Sequence, residues 1–275
     1  MNGEEPFSLA DPAICVSKSY TITFRKKKLR IYEGYVSHVS LATTFLEPLL
    51  EATFPHLSSK ETRLFQVISL HDVGKLGSEF QQMITTGTRQ DYRHEELAFL
   101  LWLRASIGLD TPGSPKELSD LTYAEILAIL GHHNSIIDEK TRFRIERLLS
   151  FHENLKELQQ LKRDWDQKRY SPRRKRLDRD LLSALQIMDV VRSADVLASY
   201  VSKIAALSLG DSAPSYQSLW EESITFGEYA PELSATNLTG EELQMNLTSE
   251  KNGRWWIQVS SPIDATVELW SRLPQ

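Results

Sequence analysis

Cysteine is nearly absent from this chain, which carries Cys15 alone among its 275 residues. A single thiol excludes an internal disulfide and a thiolate metal cluster, so a metal site here must use nitrogen and oxygen ligands. Such sparse cysteine is also typical of proteins from a reducing compartment, and we expect a cytoplasmic protein.

Long apolar segments are lacking as well. No run approaches the roughly 20 residues that a membrane-spanning helix requires. The opening residues, Met1 to Glu5, include two acidic side chains where a signal peptide would be basic. We therefore expect a protein that neither crosses a membrane nor is exported.

An excess of positive charge is missing, because the formal net charge is -5 at pH 7. This balance argues against a protein that holds nucleic acid through bulk positive charge, so such a contact must be local or made by a partner. The length and the 41% hydrophobic content suffice for one large or two modest domains with a buried core.

Positive charge is nevertheless concentrated in two stretches. One lies near the N-terminus and comprises Arg25, Lys26, Lys27, Lys28 and Arg30; the other comprises Lys162, Arg163, Lys168, Arg169, Arg173, Arg174, Lys175, Arg176 and Arg179. Charge runs are usually solvated surface, but in an acidic chain they could also guide a nucleic-acid strand. Two nearby aromatic residues, Trp165 and Tyr170, could stack on bases or simply pack.

Histidine is scarce but ordered along the chain. Five of the 7 histidines form a series with two aspartates: His38, His71, Asp72, His94, His132, His133 and Asp195. Imidazole together with carboxylate suits Mn, Fe, Co, Ni or Zn, whereas oxygen ligands alone would indicate Mg or Ca. A lone histidine is more often a helix cap or a core residue. The combination predicts a transition-metal site.

The number of ligands predicts two ions. Five imidazoles and two carboxylates exceed the three or four protein ligands of one catalytic ion, yet they suit two ions about 3.5–4 Å apart that share a carboxylate. Such a pair lowers the pKa of a bound water to near neutrality and clamps phosphate oxygens around an in-line attack. Phosphodiester hydrolysis is the reaction that this site predicts.

The chain should be mainly α-helical. Apolar residues recur at helical spacing over 34–54, 58–70, 93–108, 122–130, 138–168 and 181–207, and they alternate as in β-hairpins over 19–24 with 29–32 and over 255–259 with 265–270. We predict a helical bundle around the metal site, with short β-hairpin additions near both termini.

The ordered ligand series resembles the HD superfamily of metal-dependent phosphohydrolases. One branch is most similar, the HD nuclease of type I CRISPR interference. The segments that carry this resemblance are His71-Asp72-Val73-Gly74-Lys75 followed by Phe80, Tyr92-Arg93-His94-Glu95, Gly131-His132-His133-Asn134 and Arg192-Ser193-Ala194-Asp195-Val196-Leu197-Ala198-Ser199. The resemblance covers roughly 34 to 200 and implies an HD nuclease domain over 34–207, flanked by extensions at 1–33 and 208–275.

The resemblance also implies how the ligands are shared. It assigns His38, His71 and Asp195 to one ion. It assigns His94, His132 and His133 to the second ion and makes Asp72 the bridge between the two. The implied ions are Mn, Ni, Co, Fe or Zn, with Mg less suited to this ligand set.

Two further residues have expected catalytic roles. Lys75 lies three residues beyond Asp72, and its ammonium would stabilise charge that develops on the phosphate; the ordinary alternative is a surface ion pair. Ser199 follows Asp195 by one helical turn and could hydrogen-bond a phosphate or a metal-bound water. An ordinary helix hydroxyl is the alternative for Ser199.

The implied substrate is single-stranded DNA, cut during antiviral defence. The chain resembles the stand-alone nuclease subunit of the family and shows no Gly-Lys-Thr phosphate-binding loop of a helicase. The expected partners are therefore a separate CRISPR helicase and an RNA-guided surveillance complex, which would supply the displaced strand. A related possibility is that the chain is the HD part of a larger effector subunit.

Two alternatives stay open at this point. One is an HD phosphohydrolase that acts on nucleotides or cyclic dinucleotides. Cyclic-dinucleotide enzymes of the superfamily continue their double histidine into a Glu and a Gly-Tyr-Pro signature, which Asn134 to Asp138 do not match. Nucleotide triphosphohydrolases often use fewer histidines. The other alternative, a non-catalytic assembly module, would be expected to lack ligands.

Overall fold

The computed structural model describes residues 9–90, 93–106, 108–109, 111–133, 174–211, 244–260 and 263–273. The chain divides into two compact units. The first unit comprises Met1–Ala10 and Leu70–Arg192, and the second comprises Asp11–Ser69 and Ser193–Gln275. Helices predominate over strands within these ranges, as predicted.

The helices of the described ranges are α1 (Tyr35–Thr44), α2 (Leu46–Ala52), α3 (Glu61–Leu70), α4 (Ser78–Thr86), α5 (His94–Ser106), α6 (Tyr123–Gly131) and α7 (Arg174–Ser208). Three short 3₁₀ turns cover Pro55–Lys60, Val73–Leu76 and Lys116–Asp120. The described helices include none that is both long enough and apolar enough to cross a membrane.

Most predicted helices are confirmed, with shifted ends. The run at 34–54 is divided into α1 and α2 by Phe45, and the helix expected from Ser58 begins at Glu61 after a 3₁₀ turn. Helix α4 was not predicted. The helix expected at 138–168 lies outside the described residues, as do Trp165, Tyr170 and most of the second basic stretch.

Not every apolar residue of a predicted helix is buried. In α3 the buried residues Leu64, Val67 and Ile68 follow the i, i+3, i+4 pattern, and His71 continues it one turn further. Phe65 belongs to the apolar run that predicts a helix over 58–70, but it lies off this stripe and is 53% exposed. Val36, in the apolar run at 34–54, is also exposed.

Both predicted hairpins are confirmed, and they belong to one antiparallel sheet. Its strands are β1 (Val16–Phe24), β2 (Lys27–Gly34), β3 (Gln244–Lys251), β4 (Arg254–Ser260) and β5 (Ala265–Trp270), in the order β1-β2-β5-β4-β3. Tyr32 pairs with Trp270 where β2 meets β5. The domain boundaries at 33 and 207 stay predictions, but this pairing means that the two predicted extensions are not independent.

Strand β3 was not predicted, because it is polar and exposed along nearly all its length. Its sequence signal lies in the turn that follows it. Asn252 and Gly253 have φ of 54° and 78°, as a type I′ turn requires, and Asn-Gly is the most favoured pair for that turn. Register shifts interrupt both outer strands, between Val16 and Lys18 in β1 and between Leu247 and Ser249 in β3.

The turn between β1 and β2 has the same shape without glycine. Arg25 and Lys26 have φ of 50° and 63°. The backbone N–H groups of both residues donate to the carboxylate of Asp211, at 2.7 Å and 2.6 Å. The bond from Lys26, followed by the bond from Arg25, lowers the pKa of Asp211. A charged Asp211 therefore stabilises a turn whose residues, Arg25 and Lys26, do not favour a positive φ.

We predict that Asp211→Ala lowers the melting temperature of the protein at neutral pH, because the turn loses both acceptors. The pKa of Asp211 is lower in the folded protein, so its contribution is full above the ordinary value of 3.8 and is lost as the pH falls through the folded-state pKa. Thermal unfolding at pH 3 to 8 measures this. Glu250→Ala, at an exposed residue of β3, is the control. If the difference in melting temperature between Asp211→Ala and wild type does not shrink in acid, the prediction is contradicted.

Candidate metal centre

Asp72 lies at the end of α3, where the helix gives way to the 3₁₀ turn Val73–Leu76. Its φ of -103° and ψ of 9° lie near the sparsely populated bridge region, where many active-site residues are found. Both His71 and Asp72 are fully buried. The residues that follow α3 therefore place an imidazole and a carboxylate out of contact with solvent.

The two oxygens of Asp72 face different neighbours. Oδ1 lies 3.3 Å from Nε2 of His94 and 3.9 Å from Nε2 of His132. Oδ2 lies 3.4 Å from Nε2 of His71 and 2.5 Å from Nζ of Lys75. One carboxylate thus has imidazoles on both sides, which is the arrangement expected of a bridging ligand.

Four residues of the first unit form a set that could hold a metal ion. Asp72, His94, His132 and His133 each offer a ligand atom, and these atoms lie within 4.8 Å of one another. His133 is the exposed member of the set. The buried Nε2 of His94 makes no hydrogen bond to the described part of the chain. This donor set of nitrogen and oxygen fits a borderline transition metal.

The start of α5 places His94 at the site. The Arg93 N–H donates to the Glu96 carboxylate at 2.9 Å, and acidic side chains at Glu95 and Glu96 favour a helix N-terminus. Nδ1 of His94 lies 3.3 Å from the Glu95 carboxylate. Nδ1 of His94 therefore faces the Glu95 carboxylate as an acceptor, while Nε2 faces Asp72.

The end of α6 places His132. A capping box between Thr122 and Glu125 sets the start of this helix, and His132 follows its last residue, Gly131. Nδ1 of His132 lies 2.5 Å from the carbonyl oxygen of Ile129. Since a ring nitrogen that donates to a carbonyl leaves the other with its lone pair, Nε2 is available as a ligand.

Arg192 of α7 stabilises the same helix end. Its Nε donates to the carbonyl oxygen of His132 at 2.9 Å, and one of its terminal nitrogens donates to that of Gly131 at 3.2 Å. The final carbonyls of α6 are thereby satisfied by a cation, which also suits the negative end of the helix dipole.

The second unit brings His38, Asp195 and Ser199 together. Nε2 of His38 lies 3.0 Å from Oδ1 of Asp195, and both side chains are buried. Nζ of Lys18 lies 3.0 Å from the same oxygen and also donates to the hydroxyl of Ser199. The Ser199 hydroxyl donates in turn to the Asp195 carbonyl.

A buried carboxylate lies on the other side of His38. Oε1 of Glu33 is 3.2 Å from Nδ1 of His38. Oε2 of Glu33 accepts hydrogen bonds from Ser202 at 2.9 Å and from Tyr20 at 3.2 Å. Burial, followed by the charge of Glu33, raises the pKa of Tyr20 well above 10.0, so the phenol keeps its proton at neutral pH.

The structure therefore places the predicted residues in two groups. His71, Asp72, Lys75, His94, His132 and His133 lie in the first unit, and His38, Asp195 and Ser199 lie in the second. The predicted ion on His38, His71 and Asp195 draws on both units, and that grouping stays a prediction. Lys75 is buried and paired with Asp72, so the surface ion pair considered for it is wrong.

Sequence reasoning missed three charged neighbours of these residues: Lys18, Glu33 and Glu95. Glu33 had a signal, because it continues the face of β2 that Leu29 and Ile31 share, where a carboxylate is unusual. Glu95 directly follows a predicted ligand. Lys18 had none, because 177 residues separate it from Asp195.

Three comparisons with known proteins gave no match: none with a protein-family model, none with a curated protein and none with a solved structure. The geometry of the site and the chemistry of its residues therefore carry the functional argument.

Gly74 allows the turn that carries Asp72 to approach α5. A Cβ built at Gly74 would lie 1.8 Å from the carbonyl oxygen of His94, a backbone atom that has no freedom to move aside. A Cβ at Gly77 would meet Cδ2 of Leu97 at 2.4 Å, which is the flexible end of a side chain. A side chain is therefore easier to accommodate at position 77 than at position 74.

We predict that Gly74→Ala destabilises the protein by at least ~1–3 kcal/mol, because the new methyl group forces the turn and α5 apart. Gly77→Ala is the matched control and should cost less, since Leu97 can change rotamer. Chemical denaturation of both variants measures the difference. Gly74→Ala should also weaken Mn²⁺ binding, and equal stability of the two variants would contradict the close approach.

Proposed function

We propose that this chain is a metal-dependent phosphodiesterase of the HD type whose substrate is single-stranded DNA. The observation that carries the proposal is the buried carboxylate of Asp72, whose two oxygens face imidazole nitrogens on opposite sides. A structural core gains little from burying a carboxylate among histidines, whereas a dinuclear metal site can use that carboxylate as a ligand.

The ligand set supports transition ions. Asp72, His94, His132 and His133 would hold one ion, and His71 would hold the other with His38 and Asp195, as the family resemblance implies. When bound, such ions supply a water of near-neutral pKa and a clamp for phosphate oxygens. Mn, Ni, Co, Fe and Zn suit these ligands better than Mg.

Lys75 and Ser199 complete the proposed machinery. The Lys75 ammonium is buried against the Asp72 carboxylate, so it is already desolvated, and it would stabilise negative charge on the phosphate. Ser199 lies beside Asp195 and would orient a water or a phosphate oxygen through its hydroxyl.

A polymeric substrate is supported by the hairpin of β1 and β2. Its basic residues Arg25, Lys26, Lys27, Lys28 and Arg30 are all exposed. In a chain of net charge -5, a local cluster of five cations is the kind of surface that a phosphate backbone contacts by counterion release. Partnership with a CRISPR helicase and an RNA-guided surveillance complex is supported by the resemblance alone.

We predict that the protein nicks circular single-stranded DNA in the presence of Mn²⁺, Ni²⁺ or Co²⁺ and that EDTA stops the reaction. Asp72→Ala and His94→Ala should each reduce the rate by more than the roughly 10- to 100-fold that loss of an outer-shell partner costs, because each removes a ligand. Gel electrophoresis of the circle measures nicking.

The control for this assay is His56→Ala, since His56 is exposed and belongs to neither group of predicted ligands. Full activity of Asp72→Ala would overturn the metal assignment. If the circle survives while nucleotides or cyclic dinucleotides are hydrolysed with the same metals, the chain is the small-molecule phosphohydrolase that the sequence left open.

We further predict that the double variant Lys27→Gln, Lys28→Gln weakens binding to single-stranded DNA and reduces its salt dependence. The slope of log Kobs against log salt should fall by about 0.7 for each phosphate that the variant no longer neutralises. Fluorescence anisotropy at several salt concentrations measures the slope. Lys251→Gln, at an exposed residue of β3, is the control, and an unchanged slope in the double variant would place the DNA elsewhere.

A further inference from the structure

Glu33 is a fully buried carboxylate in β2. Donors from three elements converge on it: His38 of α1 reaches Oε1, while Tyr20 of β1 and Ser202 of α7 reach Oε2. Taking a carboxylate out of water is unfavourable even when its oxygens are hydrogen-bonded. An apolar residue on this face of β2 would pack beside Ile31 without that penalty, so stability alone does not explain Glu33.

The imidazole of His38 lies between two carboxylates. Nδ1 is 3.2 Å from Oε1 of Glu33, and Nε2 is 3.0 Å from Oδ1 of Asp195. A neutral imidazole carries one proton, so it can donate to only one of the two. The nitrogen without the proton keeps its lone pair and can bind a metal ion.

The surrounding donors favour the proton on Nδ1. Oδ1 of Asp195 already accepts from the Lys18 ammonium at 3.0 Å. Among the described residues, by contrast, His38 is the donor that reaches Oε1 of Glu33. A proton on Nδ1 therefore satisfies Oε1 of Glu33, which depends on His38, and leaves Nε2 beside Oδ1 of Asp195, which has Lys18 as a donor.

We propose that Glu33 is the positioning residue of His38: its carboxylate holds the Nδ1–H tautomer and the ring orientation, so that Nε2 and Asp195 are presented together as metal ligands. This inference rests on the proposed metal-dependent function. A carboxylate in this role also makes the imidazole a stronger ligand, as carboxylate–histidine–metal triads do. In the first unit the Ile129 carbonyl has the equivalent place behind His132.

The test uses two variants of the full chain. Glu33→Met removes the acceptor, and Glu33→Gln keeps an acceptor oxygen but removes the charge. Glu268→Gln is the control, because Glu268 is another glutamate of the sheet whose carboxylate accepts from Arg254 and Trp270 rather than from a proposed ligand. Circular dichroism first establishes that each variant is folded.

Two readouts separate positioning from stability. ¹⁵N NMR of the metal-free protein reports the tautomer of His38, whose signal is assigned by its loss in His38→Ala. Titration calorimetry with Mn²⁺ reports the affinity of each site. We expect Glu33→Met to move His38 toward the Nε2–H form and to weaken one Mn²⁺ site about 10- to 100-fold. Glu33→Gln should weaken the same site less, and Glu268→Gln should change neither readout.

A folded Glu33→Met variant with the wild-type tautomer and Mn²⁺ affinity would overturn the inference. Should Glu33→Met not fold, wild-type affinity in Glu33→Gln would overturn it instead. The outcome is distinguishable from failure of the proposed function. If the tautomer and the Mn²⁺ affinity depend on Glu33 but the protein cuts no DNA, the inference about Glu33 stands and the nuclease function is refuted. If the protein cuts DNA but neither readout depends on Glu33, only the nuclease function stands.

Discussion

Burial of the Asp72 carboxylate is the constraint on which the first unit depends. A carboxylate removed from water must be surrounded by compensating groups, and here one ammonium and three imidazoles lie against its two oxygens. The turn that carries Asp72 fits against α5 only because Gly74 has no side chain. The backbone geometry and the electrostatics of this unit are therefore set at the same place, since moving the turn would also remove Asp72 from His94.

The second unit shows the inverse arrangement. There a single imidazole, that of His38, lies between the carboxylates of Glu33 and Asp195, with Lys18 beside the latter. Two carboxylates and one ammonium leave an excess of negative charge around a nitrogen ligand, which suits a divalent cation. Both units thus combine the same chemical groups, but the first surrounds a carboxylate with imidazoles and the second surrounds an imidazole with carboxylates.

The histidine series and the main helices could be predicted because their signals are local. His71 and Asp72 end an apolar helical run, and the two patterned hairpins predict four of the five strands of the described sheet. The rest depends on tertiary contacts. The partner of Lys18 is 177 residues away, and the exposure of Phe65 follows from which stripe of α3 the core covers. Strand β3 lacks the alternation that burial would impose, so only its Asn-Gly turn indicated a hairpin.

The register shifts in β1 and β3 fall on the two outer strands of the described sheet. An outer strand presents unsatisfied N–H and C=O groups that another chain could pair with, and a bulge twists and interrupts that row. The polar and charged residues along β3 also disfavour pairing with a strand of another chain. Both edges are therefore poor templates for strand addition, which protects the protein against edge-to-edge aggregation at high concentration.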